Sequence, residues 1–367
     1  MRREHLSRIA RQAYGAHDHW AQQAAGRASA EEEIIGRGNH MKILVTGATG
    51  FIGSAVTRAL VQNKKSVRCL VRKGSDISNL EGLKVEYAYG DVTDLDSVRR
   101  AVKGCDQVIH LAAIYAIWLK DPNLMYRVNV NGTQKVLTAC RDAKVKKIVY
   151  VSSTAALGAH GKTPANESAV YNMESAGDDY FKSKFQAEQL VLDFAAKGLP
   201  VTIVNPTVPI GARDIKPTPS GALIINVMKG LLPGYIDGGL NLIDVEDCAA
   251  GIVKALERGK RGEKYVLGNR NVSMKEFFDL IVKVAGTGKA PAIRFPVFMA
   301  VQSGYAYELL ARITGKEPLN TAAWVRVGSH YSWWDTTRAQ KELGLPQTPV
   351  EKSIANAIAW FREKEYI

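Results

Sequence analysis

Tyr180 and Lys184 stand four residues apart in the run "DDYFKSK". Of the chain's 14 tyrosines, Tyr180 alone has a lysine at that offset. On a helix the offset puts both side chains on one face and turns Lys182 elsewhere. Free tyrosine has a pKa of about 10, and a nearby ammonium favours its phenolate. Such a pair can move a proton. Two surface residues on a helix would show the same spacing, so the pair takes its meaning from its setting. The run "YFKSKFQAEQLVLDFAAKG" supplies a helix, with Gly198 and Pro200 as a stop signal.

A second constellation is "MKILVTGATGFIG", which starts at Met41. Lys42–Val45 read as a short buried strand, and "SAVTRALVQN" continues as a helix. Gly47, Gly50 and Gly53 lie between them. Glycines here allow a tight turn and let backbone N–H groups approach a pyrophosphate at a helix N-terminus. Gly53 lets helix and sheet pack closely. An ordinary strand–helix turn is the bland alternative.

These residues need a scaffold, and the apolar runs supply one. Strands are expected at 66–72, 84–91, 107–113, 146–153 and 200–207, with helical stretches between most of them. That alternation predicts an α/β fold: a doubly wound, Rossmann-type parallel sheet covered on both faces. The regularity fades after residue 210. The expected division is an extension over 1–40, a dinucleotide-binding domain over 41–210 with return segments near 240–268, and a smaller, mainly substrate-binding region over 211–367 ending in the helix "VEKSIANAIAWFREKEYI". Residues 1–40 have few large aliphatics and predict a disordered or loosely helical segment. Its arginines would suit a targeting peptide, but Glu4, Asp18 and Glu31–Glu33 oppose that, and an upstream start fits better.

The chain has 367 residues, 46% of them apolar and 23% charged, an ordinary globular balance. Four scattered cysteines form no C-x-x-C spacing, so neither a zinc site nor a disulfide framework is expected, and a reduced cytoplasmic setting fits. The net charge of +13 is dispersed, without a nucleic-acid motif, and fits solubility plus an anionic ligand. No apolar run is long enough to span a bilayer. The richest, residues 295–313, contains Gln302, Ser303, Gly304 and Glu308. It reads first as a core or pocket-covering helix and second as a surface in peripheral contact with a membrane.

"TGATGFIG" resembles the extended branch of the short-chain dehydrogenase/reductases. The likeness accumulates in order along the chain through "YGDVTD", "HLAA", "NVNGTQKVL", "VYVSSTAALG", "YFKSK" and "VNPTVPIG". The C-terminal half, with "GGLNLIDVEDCAAGIVKALERG", resembles dihydroflavonol reductase-like enzymes, a group that includes bacterial hopanoid-associated sugar epimerases. The resemblance covers residues 41–367 and leaves out 1–40. It implies that Gly47, Thr49, Gly50, Phe51, Ile52, Gly53, Asp91, Val92, Leu111, Ala112, Ala113, Pro206 and Pro209 border a nicotinamide cofactor. Tyr180 would donate the proton, and Lys184 would lower its pKa and bind the nicotinamide ribose. Ser153 would hydrogen-bond the substrate oxygen; strand alternation turns Ser152 the other way, and Thr154 is a substitute. Asn131 would bind the helix backbone or a water chain, or else serve as an N-cap.

The residue ending the second strand reads cofactor choice. An acid there accepts from the ribose 2′-OH of NAD, and a cation meets the 2′-phosphate of NADP. Arg72 stands at that place with Lys73 beside it, and Asp76 comes too late. A solvated loop arginine is the alternative. Tyr115, Ile117 and Trp118 follow a strand end, where open α/β sheets bind ligands, and could line an apolar pocket. His110, Trp333 and Trp334 read as packing residues. The expected activity is NADP(H)-dependent reduction of a ketone or aldehyde of a mostly apolar molecule. The rivals are a nucleotide-sugar epimerase or dehydratase holding NAD(P), and a non-enzymatic NADP sensor; sensors of this fold tend to lose the Tyr–Lys pair. A homodimer is implied by family analogy, and no metal or nucleic acid is expected.

Overall fold

The computed structural model describes residues 41–367, so the expectations for residues 1–40 lie outside the described residues. Seven strands form one parallel sheet: β1 (Lys42–Thr46), β2 (Ser66–Val71), β3 (Glu86–Tyr89), β4 (Gln107–His110), β5 (Lys147–Val151), β7 (Val201–Pro206) and β10 (Lys264–Leu267). Their spatial order is β10-β7-β5-β4-β1-β2-β3. The chain therefore winds outward in one direction from β1 and in the other from β4. β1 and β4 are neighbours, with Thr46 opposite His110. The crevice where the order reverses lies beyond their C-terminal ends, the usual ligand position in such sheets.

Side-chain alternation along the strands builds two cores. Ile43 and Val45 face one side and Leu44 the other; Val149 and Val151 likewise oppose Ile148 and Tyr150. One face is covered by α1 (Phe51–Gln62) and, from much later in the chain, α6 (Val245–Arg258). The other face is covered by α2 (Leu95–Val102), α3 (residues 123–142) and α4 (Asp179–Ala196). The return segments thus join the main sheet, through α6 and β10.

The segment before β5 differs from expectation. An N-cap at Asn131 would start a helix within "NVNGTQKVL", but α3 runs unbroken through Asn123–Tyr126, Arg127–Gly132 and Thr133–Asp142. Its middle piece is a π-turn, a widening that inserts an extra residue into the helical spiral. The extra residue rotates the face the helix presents. Asn129 is buried at 1% exposure, while Asn131 points outward. Asn131 is therefore neither a cap nor an inward ligand. Gly132 sits against Val92, which explains a glycine inside a helix: a Cβ there would come within 3.0 Å of the valine side chain.

The last third carries a small sheet of β8 (Val208–Ile210), β9 (Gly239–Asp244) and β11 (Arg270–Ser273), in the order β11-β9-β8. A third core, including Ile224, Phe277, Ile354 and Phe361, joins α5 (Pro219–Met228), α7 (Met274–Ala285) and α11 (Val350–Glu363) beside it. β6 (Gly161–Ala165) pairs with β12 (Ser332–Trp334). Trp334 is buried and Trp333 Nε1 donates to the Val272 carbonyl at 3.1 Å, so both tryptophans pack, as expected. Two helices, α8 (Val297–Thr314) and α9 (Ala322–Gly328), precede β12, and α10 (Thr337–Leu343) follows it. The core reading of 295–313 fails: of the residues of α8 only Gly304 and Ala311 are buried. No described helix is long and apolar enough to cross a membrane. All four cysteines are buried and unpaired.

The π-turn yields a stability prediction. Asn129→Ala should lower the unfolding free energy by about 2 kcal/mol, the scale for stranding buried polar partners. Asn131→Ala should change it by less than about 0.5 kcal/mol, as for an ordinary surface position. Urea denaturation of the two variants checks this, and equal losses would contradict the register.

Candidate active site

Because the main sheet is parallel, the loops after β1, β2, β4, β5 and β7 all emerge at one edge. This edge collects the residues singled out in the sequence. Gly47 sits at φ +72°, and a Cβ on it would lie 2.7 Å from the Ala112 nitrogen. The loop after β1 thus touches the loop after β4, and Ala112 N–H also donates to Thr46 Oγ1 at 3.2 Å. A Cβ on Gly53 would lie 2.0 Å from the Gly47 carbonyl, so α1 starts tight against the turn. Its N-cap is Gly50, with no side-chain cap and no acid in the first turn. The N–H groups of Phe51 and Ile52 therefore border an electropositive helix end that no side chain fills, with Thr49 beside them. This cradle fits a pyrophosphate.

Arg72 follows β2 directly, is exposed, and makes no side-chain ion pair or hydrogen bond among the described residues. Lys73 beside it is also exposed, and Asp76 is tied into its own turn by the Ser78 N–H at 2.9 Å. Asp91 Oδ1 accepts from the N–H and hydroxyl of Thr93, both at 2.8 Å, and Val92 is buried beneath it. Leu111 and Ala113 flank Ala112 after β4; Pro206 ends β7 and Pro209 lies in β8. Asn79, which the sequence reading overlooked, is buried and donates to the carbonyls of Thr49 (3.4 Å) and Arg213 (3.1 Å). It ties the glycine turn to the segment after β8. A lone asparagine in a loop carries no pattern that would single it out.

His110 is a satisfied core residue. Thr46 Oγ1 lies 2.7 Å from Nδ1 and Thr133 Oγ1 3.1 Å from Nε2. Burial pushes its pKa down to about 3, so the ring is neutral.

α4 begins at Asp178, whose carboxylate accepts from the Phe181 N–H at 3.0 Å. Burial raises that carboxyl to about 6. Lys184 is buried, and its ammonium donates to the Val151 carbonyl at 3.0 Å, 5.1 Å from the Tyr150 ring centre. Desolvation lowers its pKa to about 8, against the pull of Glu188. Glu188 continues the same four-residue series, Tyr180–Lys184–Glu188, and this spacing could have flagged it in the sequence. Its carboxylate accepts from Ser152 Oγ and from Asn205 Nδ2, both at 2.6 Å, with Lys264 Nζ at 3.7 Å. Ser152 is thereby turned inward, as strand parity required. Ser153 faces the open side, its Oγ accepting from the Ala155 N–H at 3.1 Å. Thr154, next to it, is half-buried.

Tyr180 departs from expectation in one respect. Burial raises its hydroxyl to about 12, partly offset by the nearby Ser153 hydroxyl. Lys182 points away and pairs with Glu174 at 3.0 Å.

Asn129 joins this group to the loop after β4. Its side chain accepts from the Ile114 N–H at 2.7 Å and donates to the Ile114 carbonyl (3.1 Å) and to Ser183 Oγ (3.0 Å). Ser183 Oγ donates in turn to the Tyr180 carbonyl at 2.9 Å. One residue beyond Ile114, the Tyr115 ring lies 4.6 Å from that of Tyr180 and 6.1 Å from Trp324 of α9. Tyr115 is therefore at the site. Trp324 was missed, since it sits in the irregular half of the sequence. Ile117 and Trp118 are half-buried further along the loop, and no hydrogen bond or ring contact joins Trp118 to Tyr180.

The model of the NAD dependent epimerase/dehydratase family matches residues 43–268. The chain is 37% identical over 328 residues to a Synechocystis protein named "Putative dihydroflavonol 4-reductase", covering 88% of this chain and 95% of the relative. It is 32% identical over 338 residues to "Sterol demethylase protein B" of Methylococcus capsulatus, covering 89% and 100%. The solved structure of gox2253 is 41% identical with a TM-score of 0.79, covering 90% of this chain and all of that one. The cradle at β1, the tyrosine–lysine helix and these likenesses agree: the chain belongs to the NAD dependent epimerase/dehydratase family, among the extended short-chain dehydrogenase/reductases, whose members use a nicotinamide cofactor.

Proposed function

We propose that this protein is an NADP(H)-dependent reductase that converts a ketone or aldehyde of a mostly apolar molecule to its alcohol. The observation that carries the cofactor choice is Arg72: an exposed cation with no ion pair among the described residues, directly after β2, with no acid at that place to accept from a ribose hydroxyl. Its guanidinium suits a 2′-phosphate. The glycine turn and the uncapped start of α1 hold the pyrophosphate through backbone N–H groups.

Bound NADPH supplies the hydride. The chain's own residues manage the charge that appears on the substrate oxygen. Tyr180, with its pKa raised to about 12, keeps its proton at neutral pH and can release it to an oxyanion. Ser153 donates a hydrogen bond to the same oxygen. Lys184, with its pKa near 8, is largely cationic at neutral pH and holds the nicotinamide ribose. Asn129 is a positioning residue: it fixes the loop bearing Tyr115 against the first turn of α4. Tyr115 and Trp324 give the site an aromatic wall suited to an apolar substrate. The likeness to the Methylococcus protein named as a sterol demethylase protein supports a substrate of that kind. The competing reading, a nucleotide-sugar epimerase, rests on the name of the family and on a 28% identical Pseudomonas aeruginosa structure described as a nucleoside-diphosphate-sugar epimerase; Arg72 and the aromatic wall speak against it.

NADPH should bind at least about tenfold more tightly than NADH, a difference of about 1.4 kcal/mol. Arg72→Asp should reverse the order. Fluorescence titration of both cofactors checks this, and equal affinities in the parent protein would remove the basis for NADPH.

Tyr180→Phe should abolish most turnover and leave NADPH binding nearly unchanged, because the ring still packs on Tyr115. Lys184→Met should weaken both. Ser153→Ala should slow turnover by about 100-fold, the scale for one lost oxyanion donor. Lys182→Met, which breaks only a surface pair, should do little. A panel of carbonyl compounds followed by NADPH absorbance gives the ordering. If Lys182→Met proved as harmful as Lys184→Met, the assignment would fail.

A further inference from the structure

The exposed side of α8 is its apolar side. Phe298 (69% exposed), Tyr305, Leu309 (60%) and Ile313 (75%) recur at helical spacing on one face, with Met299 and Leu310 on its flank. The acid of this helix, Glu308, is turned inward and accepts from the Ala322 N–H at 2.8 Å. The opposite side fits α9 so closely that a Cβ on Gly304 would lie 2.5 Å from the Ala322 nitrogen. The helix is therefore firmly seated with its oily face outward, the reverse of an ordinary surface helix.

Charge decides what covers it. Residues 286–317 hold four cations, Lys289, Arg294, Arg312 and Lys316, against two acids, Glu308 and Glu317. Arg294 is partly used by Asp237 at 3.1 Å. Lys120, from the loop after β4, places its ammonium beside Gly315 at the end of the helix. Apolar and aromatic side chains with Arg312, Lys316 and Lys120 at the C-terminal end of the helix suit the headgroup layer of an anionic bilayer. A second copy on this face would bring the same cations together.

The face also borders the site. Arg326 of α9 donates to the Tyr305 hydroxyl and lies 5.4 Å from its ring centre. Two residues earlier on α9, Trp324 meets Tyr115, which meets Tyr180.

We propose that α8 docks this protein on anionic membranes, lying in the headgroup layer rather than spanning it, and sets the mouth of the site against the source of an apolar substrate. The substrate half of this statement rests on the reductase reading; the docking half does not.

The test uses the full chain, sedimented with phosphatidylcholine vesicles with and without phosphatidylglycerol. The parent should bind the anionic vesicles and bind neutral ones weakly. Leu309→Glu/Ile313→Glu should bind at least tenfold less, with an unchanged thermal midpoint. Phe298→Ser is a milder second variant and should lose part of the binding. No vesicle binding by the parent, or equal binding by parent and double variant, overturns the proposal. A parent that elutes as a dimer while the double variant elutes as a monomer also overturns it in favour of a second copy. NADPH titration separates the two readings. Vesicle binding without NADPH binding keeps the docking surface and removes the reductase; NADPH-dependent turnover without vesicle binding does the reverse.

Discussion

An ammonium group at 3% exposure cannot stay charged without partners, and Lys184 is such a group. The Val151 carbonyl accepts from it, the Tyr150 ring lies beneath it, and Glu188 sits one turn further along α4. These needs set the seam between α4 and the sheet. β5 must end at Val151, Ser152 must turn inward to Glu188, and strand parity then leaves Ser153 on the open side beside Tyr180. The arrangement of the proposed chemistry follows from the cost of burying one charge.

The parts of this structure that were legible in the sequence share a physical cause. β1, β2, β5 and β7 are buried on both faces, so their sequences are short, nearly continuous apolar runs. The glycine turn was legible because neither Gly47 nor Gly53 tolerates a Cβ at its place, which leaves a visible triplet. Tyr180 and Lys184 were legible because they share a face of an uninterrupted helix. Strand alternation separated Ser153 from Ser152 correctly.

The failures have causes as specific. A π-turn shifts helical register by one residue without changing composition, so Asn131 was chosen where Asn129 is the buried residue. The spacing of Tyr180 and Lys184 carries no measure of burial, which raises the Tyr180 hydroxyl to about 12. The core half of the reading of residues 295–313 as a core or pocket-covering helix failed because apolarity alone does not say which side faces water. Trp324 reaches the site only through tertiary packing, from a region with no strand–helix rhythm to place it.

The central claim, a lysine buried and held by the Val151 carbonyl beside Tyr180, can be measured without any substrate. Lysines labelled with ¹³C at Cε report their own titration by NMR, and Lys184→Met identifies the resonance. The account predicts a midpoint for Lys184 near 8, well below the ordinary 10.5. A midpoint at the ordinary value would mean that the ammonium is solvated, and the geometry proposed for Tyr180, Ser153 and Lys184 would not stand.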